Sequence, residues 1–304
     1  MVEHDDDGVE ACLAARDRDA FRPLLGELHR REVAHDRRYA GLILVGNRAE
    51  TRVDRPRARW EDLVLPDELG LELRRTVEEF FAAGPLYRRH ELPHRRGILL
   101  AGPPGNGKTS ILRAIGSTLG LPVVVATLED PNGAHNTRRA FERAAALAPA
   151  VLCFEDLDAL VGDGPGLSQF LNLLDGLAPR EGLLVLATTN HPDAIDPAIT
   201  KRPSRFDRVF VVPNPGLAQR RAFLEKLLGG AAPLGEADRL AEATGGYSMA
   251  FLEELVLQAR LNAVRRGDQA LTPADLEAAL TATREHLRVA DCGIEDRGPI
   301  GFSA

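Results

Sequence analysis

The sequence predicts an α/β protein: a doubly wound, parallel, five-stranded sheet built around a phosphate-binding loop, followed by a small helical lid subdomain. Three observations predict it. Short apolar runs alternate with helical patterns between residues 97 and 212. A glycine-rich octapeptide, Gly102-Pro103-Pro104-Gly105-Asn106-Gly107-Lys108-Thr109, stands between the first of these runs and a helix. From residue 217 onward the pattern is helical only.

In order, residues 1–8 are acidic and without period. Between residues 9 and 33, Leu13, Phe21, Leu24, Leu25 and Leu28 recur at helical spacing, with Pro23 breaking the pattern. Residues 41–46 read as a short strand. Residues 47–59 carry Arg48, Arg52, Arg55, Arg57 and Arg59 without period, as a solvated linker or a basic docking patch. Residues 1–59 are thus an N-terminal region of unknown role.

A second unit, 60–213, begins at Trp60-Glu61-Asp62. Residues 71–81 form a helix with Leu73, Val77 and Phe80 on one face. The five strands are 97–101, 122–128, 150–154, 183–190 and 209–212. Their continuous apolar character fits strands buried on both faces. Helices at 110–116, 137–147 and 167–177 connect them. Helices at 217–228, 236–243, 249–266 and 273–286 make the lid, 214–286. Ser248 is placed to cap the third and Thr272-Pro273-Ala274-Asp275 the fourth. Residues 287–304 read as a tail.

Composition excludes several classes. The net charge of −7 gives no general grip on nucleic acid. Cys12, Cys153 and Cys292 are too dispersed for a zinc site or a disulfide framework. No apolar run is long enough to span a membrane, and the acidic N-terminus is unlike a signal peptide, so the expected location is cytoplasmic.

The chemistry is that of a nucleoside triphosphate. Glycines let backbone N–H groups converge on an anion at a helix N-terminus. Lys108 is placed for the β- and γ-phosphates, Thr109 for Mg2+, and Ser110 completes the loop. Glu155 and Asp156 end one strand and Asn190 ends another, at the edge where a doubly wound sheet keeps its functional groups. A metal-shell carboxylate in such a site usually precedes the water-positioning one. Here Glu155 takes the metal position and Asp156 the water position, an order compatible with slow hydrolysis. Asn190 is placed for the attacking water or the γ-phosphate.

The succession of phosphate loop, acidic pair, Thr188-Thr189-Asn190, Asp196-Pro197-Ala198 and Arg202-Pro203-Ser204-Arg205-Phe206-Asp207 resembles an AAA+ ATPase of the AAA subgroup, over residues 60–285. The resemblance implies ATP hydrolysis with Mg2+ in a homo-oligomeric ring, hexameric or heptameric, acting on a protein partner. It implies that Arg202 and Arg205 are fingers on a neighbouring subunit's nucleotide, that Asp62 lies at the adenine side, and that Tyr247-Ser248-Met249-Ala250 flanks the nucleotide. The Glu155-Asp156 order, the segment from Leu167 to Gly176, and Thr189-Asn190-His191 resemble the branch of the mitochondrial AAA chaperone that translocates the Rieske iron–sulfur protein. That protein has a membrane span and no span is read here. Residues 129–136 carry no aromatic of the kind that threading unfoldases place in a pore loop. An ATP-switched scaffold that hydrolyses little is the alternative.

Overall fold

The computed structural model of the chain describes residues 2–5, 8–11, 31, 33–36, 42–45, 50–53, 59–126, 133–160, 165–176, 182–191 and 205–291. Strands β1 (Val2–Asp5) and β2 (Gly8–Ala11) form an antiparallel ribbon where the sequence offers no period. Strands β3 (Leu42–Val45) and β4 (Glu50–Val53) follow, then helices α1 (Asp67–Ala82) and α2 (Gly84–Arg89). The α/β half alternates β5 (Arg95–Ala101), α3 (Lys108–Leu119), β6 (Val123–Ala126), α4 (Gly133–Leu147), β7 (Ala150–Phe154), α5 (Pro165–Gly176), β8 (Leu183–Thr189) and β9 (Arg208–Val211).

The five predicted strands are present and mutually parallel, in the order β6-β7-β8-β5-β9. The sheet has seven strands rather than five, because β3 and β4 extend it beyond β6. β3 runs parallel to β6, with Leu42 opposite Val123 and Val45 opposite Ala126, and β4 returns antiparallel. Ile43 and Val45 are buried in the extension. The sheet therefore reaches into residues on the N-terminal side of position 59. The preceding segment is held by a buried ion pair between Asp36 and Arg143 of α4.

Helices cover both faces. Ile98 and Leu100 of β5 point into one core with Leu73, Val77 and Phe80 of α1 and Ile111 and Ile115 of α3. Leu99 points the other way, into a core with Phe141 of α4, Phe154 of β7 and Phe170 of α5. Burial on both sides explains why these strands read as unbroken apolar runs. In α1, residues 73, 77 and 80 recur at helical spacing and are all buried.

Beyond β9, α6 (Leu217–Leu228), α7 (Glu236–Ala243), α8 (Met249–Arg265) and α9 (Pro273–Asp291) enclose a third core of Leu224, Leu240, Leu252, Leu255, Leu276 and Leu280. The box at the start of α9 is reciprocal: Asp275 N–H donates to Thr272 Oγ1 at 3.2 Å and Thr272 N–H to Asp275 Oδ2 at 2.8 Å. No helix among the described residues is long and apolar enough to cross a membrane.

Candidate functional site

Strand register gathers the site. Ala101 of β5 pairs with Thr189 of β8, and Phe154 of β7 pairs with Ala187 of β8. The glycine loop, the acidic pair and Asn190 therefore leave the sheet at one carboxyl edge, where doubly wound sheets bind ligands. Pro104 through Ser110 of the loop, Asp156 and Asn190 line a cavity of about 420 Å³.

The loop forms its floor. Gly105 and Gly107 have positive φ, +76° and +80°, a backbone conformation that L side chains disfavour. α3 starts at Lys108 with no side-chain cap, so its first amides are left to an external acceptor. Residues Pro104 through Ser110 line the cavity. Gly102 and Pro103, expected among the binding residues, instead offer carbonyls to Lys108 Nζ at 2.6 and 2.8 Å. Burial lowers the Lys108 pKa, and the nearby carboxylates of Asp156 and Asp158 oppose that shift.

The acidic wall is more specific than the pair read from sequence. Asp156 lines the cavity; Glu155, expected at the metal position, is half-buried just past β7 and outside that lining. Asp156 sits at φ +53°, in the left-handed region, where a non-glycine residue persists only if its surroundings hold it. Its N–H donates to Thr188 Oγ1 at 3.0 Å, and its Oδ1 accepts from Asn190 Nδ2 at 2.9 Å. Asn190 N–H donates in turn to Asp158 Oδ1 at 3.1 Å. Burial works to raise the Asp158 carboxyl, but the Asn190 backbone and the Thr189 hydroxyl outweigh it and hold it below the usual range. Asp158 and Thr188 are site residues that the sequence reading missed. The only local signal was an acid and a hydroxyl next to residues already singled out.

Leu63, Val64, Leu65, Phe223 and Met249 supply the cavity's apolar lining, an apolar slot, and Asp62 and Glu253 line the cavity too. Lys226 Nζ donates to the Asp62 carbonyl at 2.9 Å and so ties α6 to this segment. Arg202 lies outside the described residues. Arg205 is buried away from the cavity lining. It makes a forked contact with Asp175, Nε to Oδ1 at 3.1 Å and Nη2 to Oδ2 at 2.7 Å.

Residues 98–214 match the family model described as ATPase family associated with various cellular activities (AAA). These residues form an AAA ATPase domain. The chain is 36% identical over 263 residues to the ATP-dependent zinc metalloprotease FtsH of Acidimicrobium ferrooxidans, covering 79% of this chain and 39% of that protein. It is 35% identical over 267 residues to FtsH of Acidothermus cellulolyticus, with the same coverage of 79% and 39%. It is 36% identical over 251 residues to FtsH 3 of Sphaerobacter thermophilus, covering 76% of this chain and 50% of that protein. The chain thus spans about two-fifths of the length of the first two curated relatives. The protease activity in their names is said of those proteins. Among the described residues, no group of three or more His, Cys, Asp or Glu is placed to hold a metal by itself.

AAA domains use ATP with Mg2+, and the donor set here fits both. Uncapped α3 amides and Lys108 suit a polyphosphate, and the apolar slot suits a purine. The Thr109 hydroxyl on the cavity wall is the group that would hold the cation, and the Asp156 carboxylate lines the same cavity. When bound, the cation neutralises charge on the phosphates. The chain's own part is to orient: Asn190 fixes the Asp156 carboxylate beside the loop, and Asp158 fixes Asn190.

Proposed function

We propose that this chain is an ATP-driven machine that assembles as a homo-oligomeric ring and remodels or chaperones a protein partner. The observation that carries the reading is the Asp156–Asn190 hydrogen bond in the cavity that Lys108 also lines. It supports reading Asp156 as the water-positioning carboxylate and Asn190 as the group for the attacking water or the γ-phosphate, the parts that hydrolysis requires. The AAA domain and FtsH relatives support the ATP-driven part. The ring and the protein partner rest on the AAA resemblance. The finer resemblance, to the Rieske-translocating branch, rests on the Glu155-Asp156 order and the Thr189-Asn190-His191 run; the relatives named above are FtsH proteins.

A second reading, an ATP-switched scaffold with little turnover, is favoured by one observation: Arg205 is held within its own subunit by Asp175. Steady-state ATPase measurement on the assembled protein separates the two. The motor reading expects turnover that Lys108→Ala abolishes through loss of ATP binding and that Asp156→Ala abolishes with binding retained. Assembled wild type that binds ATP without turnover rejects the motor. The ATP-locked Asp156→Ala variant is also the bait with which to capture the partner.

A further inference from the structure

Lid helix α8 begins without a cap of its own. Ser248 occupies the N-cap position in extended backbone, yet its side chain makes no capping bond. The first amides of a helix have no partner within it, and a serine side chain is a preferred acceptor for them. Here the phosphate loop takes that role. Met249 N–H donates to Asn106 Oδ1 at 3.3 Å and Ala250 N–H donates to Gly105 O at 3.0 Å.

The orientation of Asn106 follows from its neighbours. Asn214, just before α6, donates Nδ2 to Gly246 O at 3.2 Å. Its Oδ1 therefore faces Asn106 and accepts Nδ2 at 2.8 Å. With its amide group directed at Asn214, Asn106 presents its oxygen to Met249. Asn106 is 4% exposed. The approach is close: a Cβ on Gly105 would lie 2.8 Å from Ala250 Cβ and 2.9 Å from Ser248 Oγ.

We infer that Asn106 is a positioning residue whose carboxamide, oriented by Asn214, makes the phosphate loop the N-terminal cap of α8 and so couples lid closure to the state of that loop. The coupling rests on the loop being the ATP site. Met249, which receives the cap, also lines the apolar slot, so loss of the cap opens the base end of the cavity and speeds nucleotide release. Asn106 thus serves the lid, although the sequence groups it with the phosphate-binding residues.

The test uses the full chain and two readouts. Hydrogen exchange without nucleotide reads the cap directly, since the Met249 and Ala250 amides lack intrahelical partners. Loss of the Asn106 hydrogen bond predicts exchange of the Met249 amide about fivefold faster in Asn106→Ala, with the amides of Leu255, Val256 and Ala259 unchanged. Asn106→Ala combined with Asn214→Ala is no faster than Asn106→Ala alone, because both act through one chain of bonds. Release of a fluorescent ADP analogue accelerates by a similar factor in the same variants. Unchanged exchange at Met249 in Asn106→Ala overturns the cap. Altered exchange with unaltered ADP release overturns the coupling. Failure of wild type to bind the analogue overturns the ATP reading and with it the coupling, while the exchange arm still decides the cap.

Discussion

Asn190 Nδ2 donates to Asp156 Oδ1 over 2.9 Å, joining the ends of β8 and β7 beside the cavity that both residues line. A carboxylate in left-handed backbone is held in one place by this bond and by the Thr188 hydroxyl on its N–H. Strain at a functional position persists because its surroundings over-determine it. Asn190→Ala leaves Asp156 free to turn and removes a polar group from the γ-phosphate end. The expected loss in kcat is about 10²-fold, with ATP affinity held within about threefold because phosphate-loop contacts are untouched. Steady-state kinetics beside equilibrium nucleotide binding check this. Equal losses in both quantities would show Asn190 to be a binding group instead.

Arg205 and Asp175 form a forked ion pair in which the arginine is 6% exposed and the carboxylate 32%. A finger reaching a neighbour must first leave this pair. In the assembled protein, Arg205→Ala is expected to lower turnover at least about 10³-fold if the finger acts in trans. Full turnover in the assembled variant rejects the trans role and leaves Arg205 as a clamp between α5 and the segment before β9. In the same variant, urea unfolding is expected to show a loss of about 1–3 kcal/mol, discounted for the partial exposure of Asp175.

Gly97 lies under the same segment. Its N–H donates to Asp207 Oδ1 at 3.2 Å and its carbonyl accepts Asp207 N–H at 3.1 Å. A Cβ here would fall 1.9 Å from the Arg205 carbonyl oxygen. Backbone on both sides leaves no flexible group to yield, so Gly97→Ala is expected to cost more than about 3 kcal/mol and to detach β9 from β5. Gly176→Ala is the control: among the described residues, no atom beyond its chain neighbours and its own helix backbone lies within 4 Å of an added Cβ, and a change of less than about 1 kcal/mol is expected. Chemical denaturation of both variants decides, and equal stability of the two contradicts the close approach.

The strands and the phosphate loop were legible because their signals are local. β8 is buried along its whole length, so every residue had to be apolar or small, and the loop is eight contiguous residues. What stayed hidden is long-range. Asp158 gains its role from an amide 32 residues away, and Asn106 from partners 108 and 143 residues away. Residues 41–46 read as a strand, but no periodicity says which strand it joins. Arg205 read as a finger from its motif, and only its burial against Asp175 shows what holds it. The serine before α8 looked like a sufficient cap until the loop was seen to take its place.

Asp275 carries the clearest pH dependence. The Thr272 hydroxyl, first, then the Thr272 N–H and the Arg266 guanidinium, hold its carboxylate at a pKa of about 2, from an ordinary 3.8. A lowered folded-state pKa means the charged form is favoured by folding, so this contribution is complete above the ordinary value. It is lost as pH falls from about 4 toward about 2. Asp275→Asn removes the charge and an acceptor from the start of α9. It is expected to be less stable than wild type at neutral pH, and the gap should narrow through that acidic window. Urea unfolding at a series of pH values measures the difference between the two proteins, which cancels the other carboxylates they share. A gap that stays constant down to pH about 2 would show that the box acts by shape alone, without the charge of Asp275.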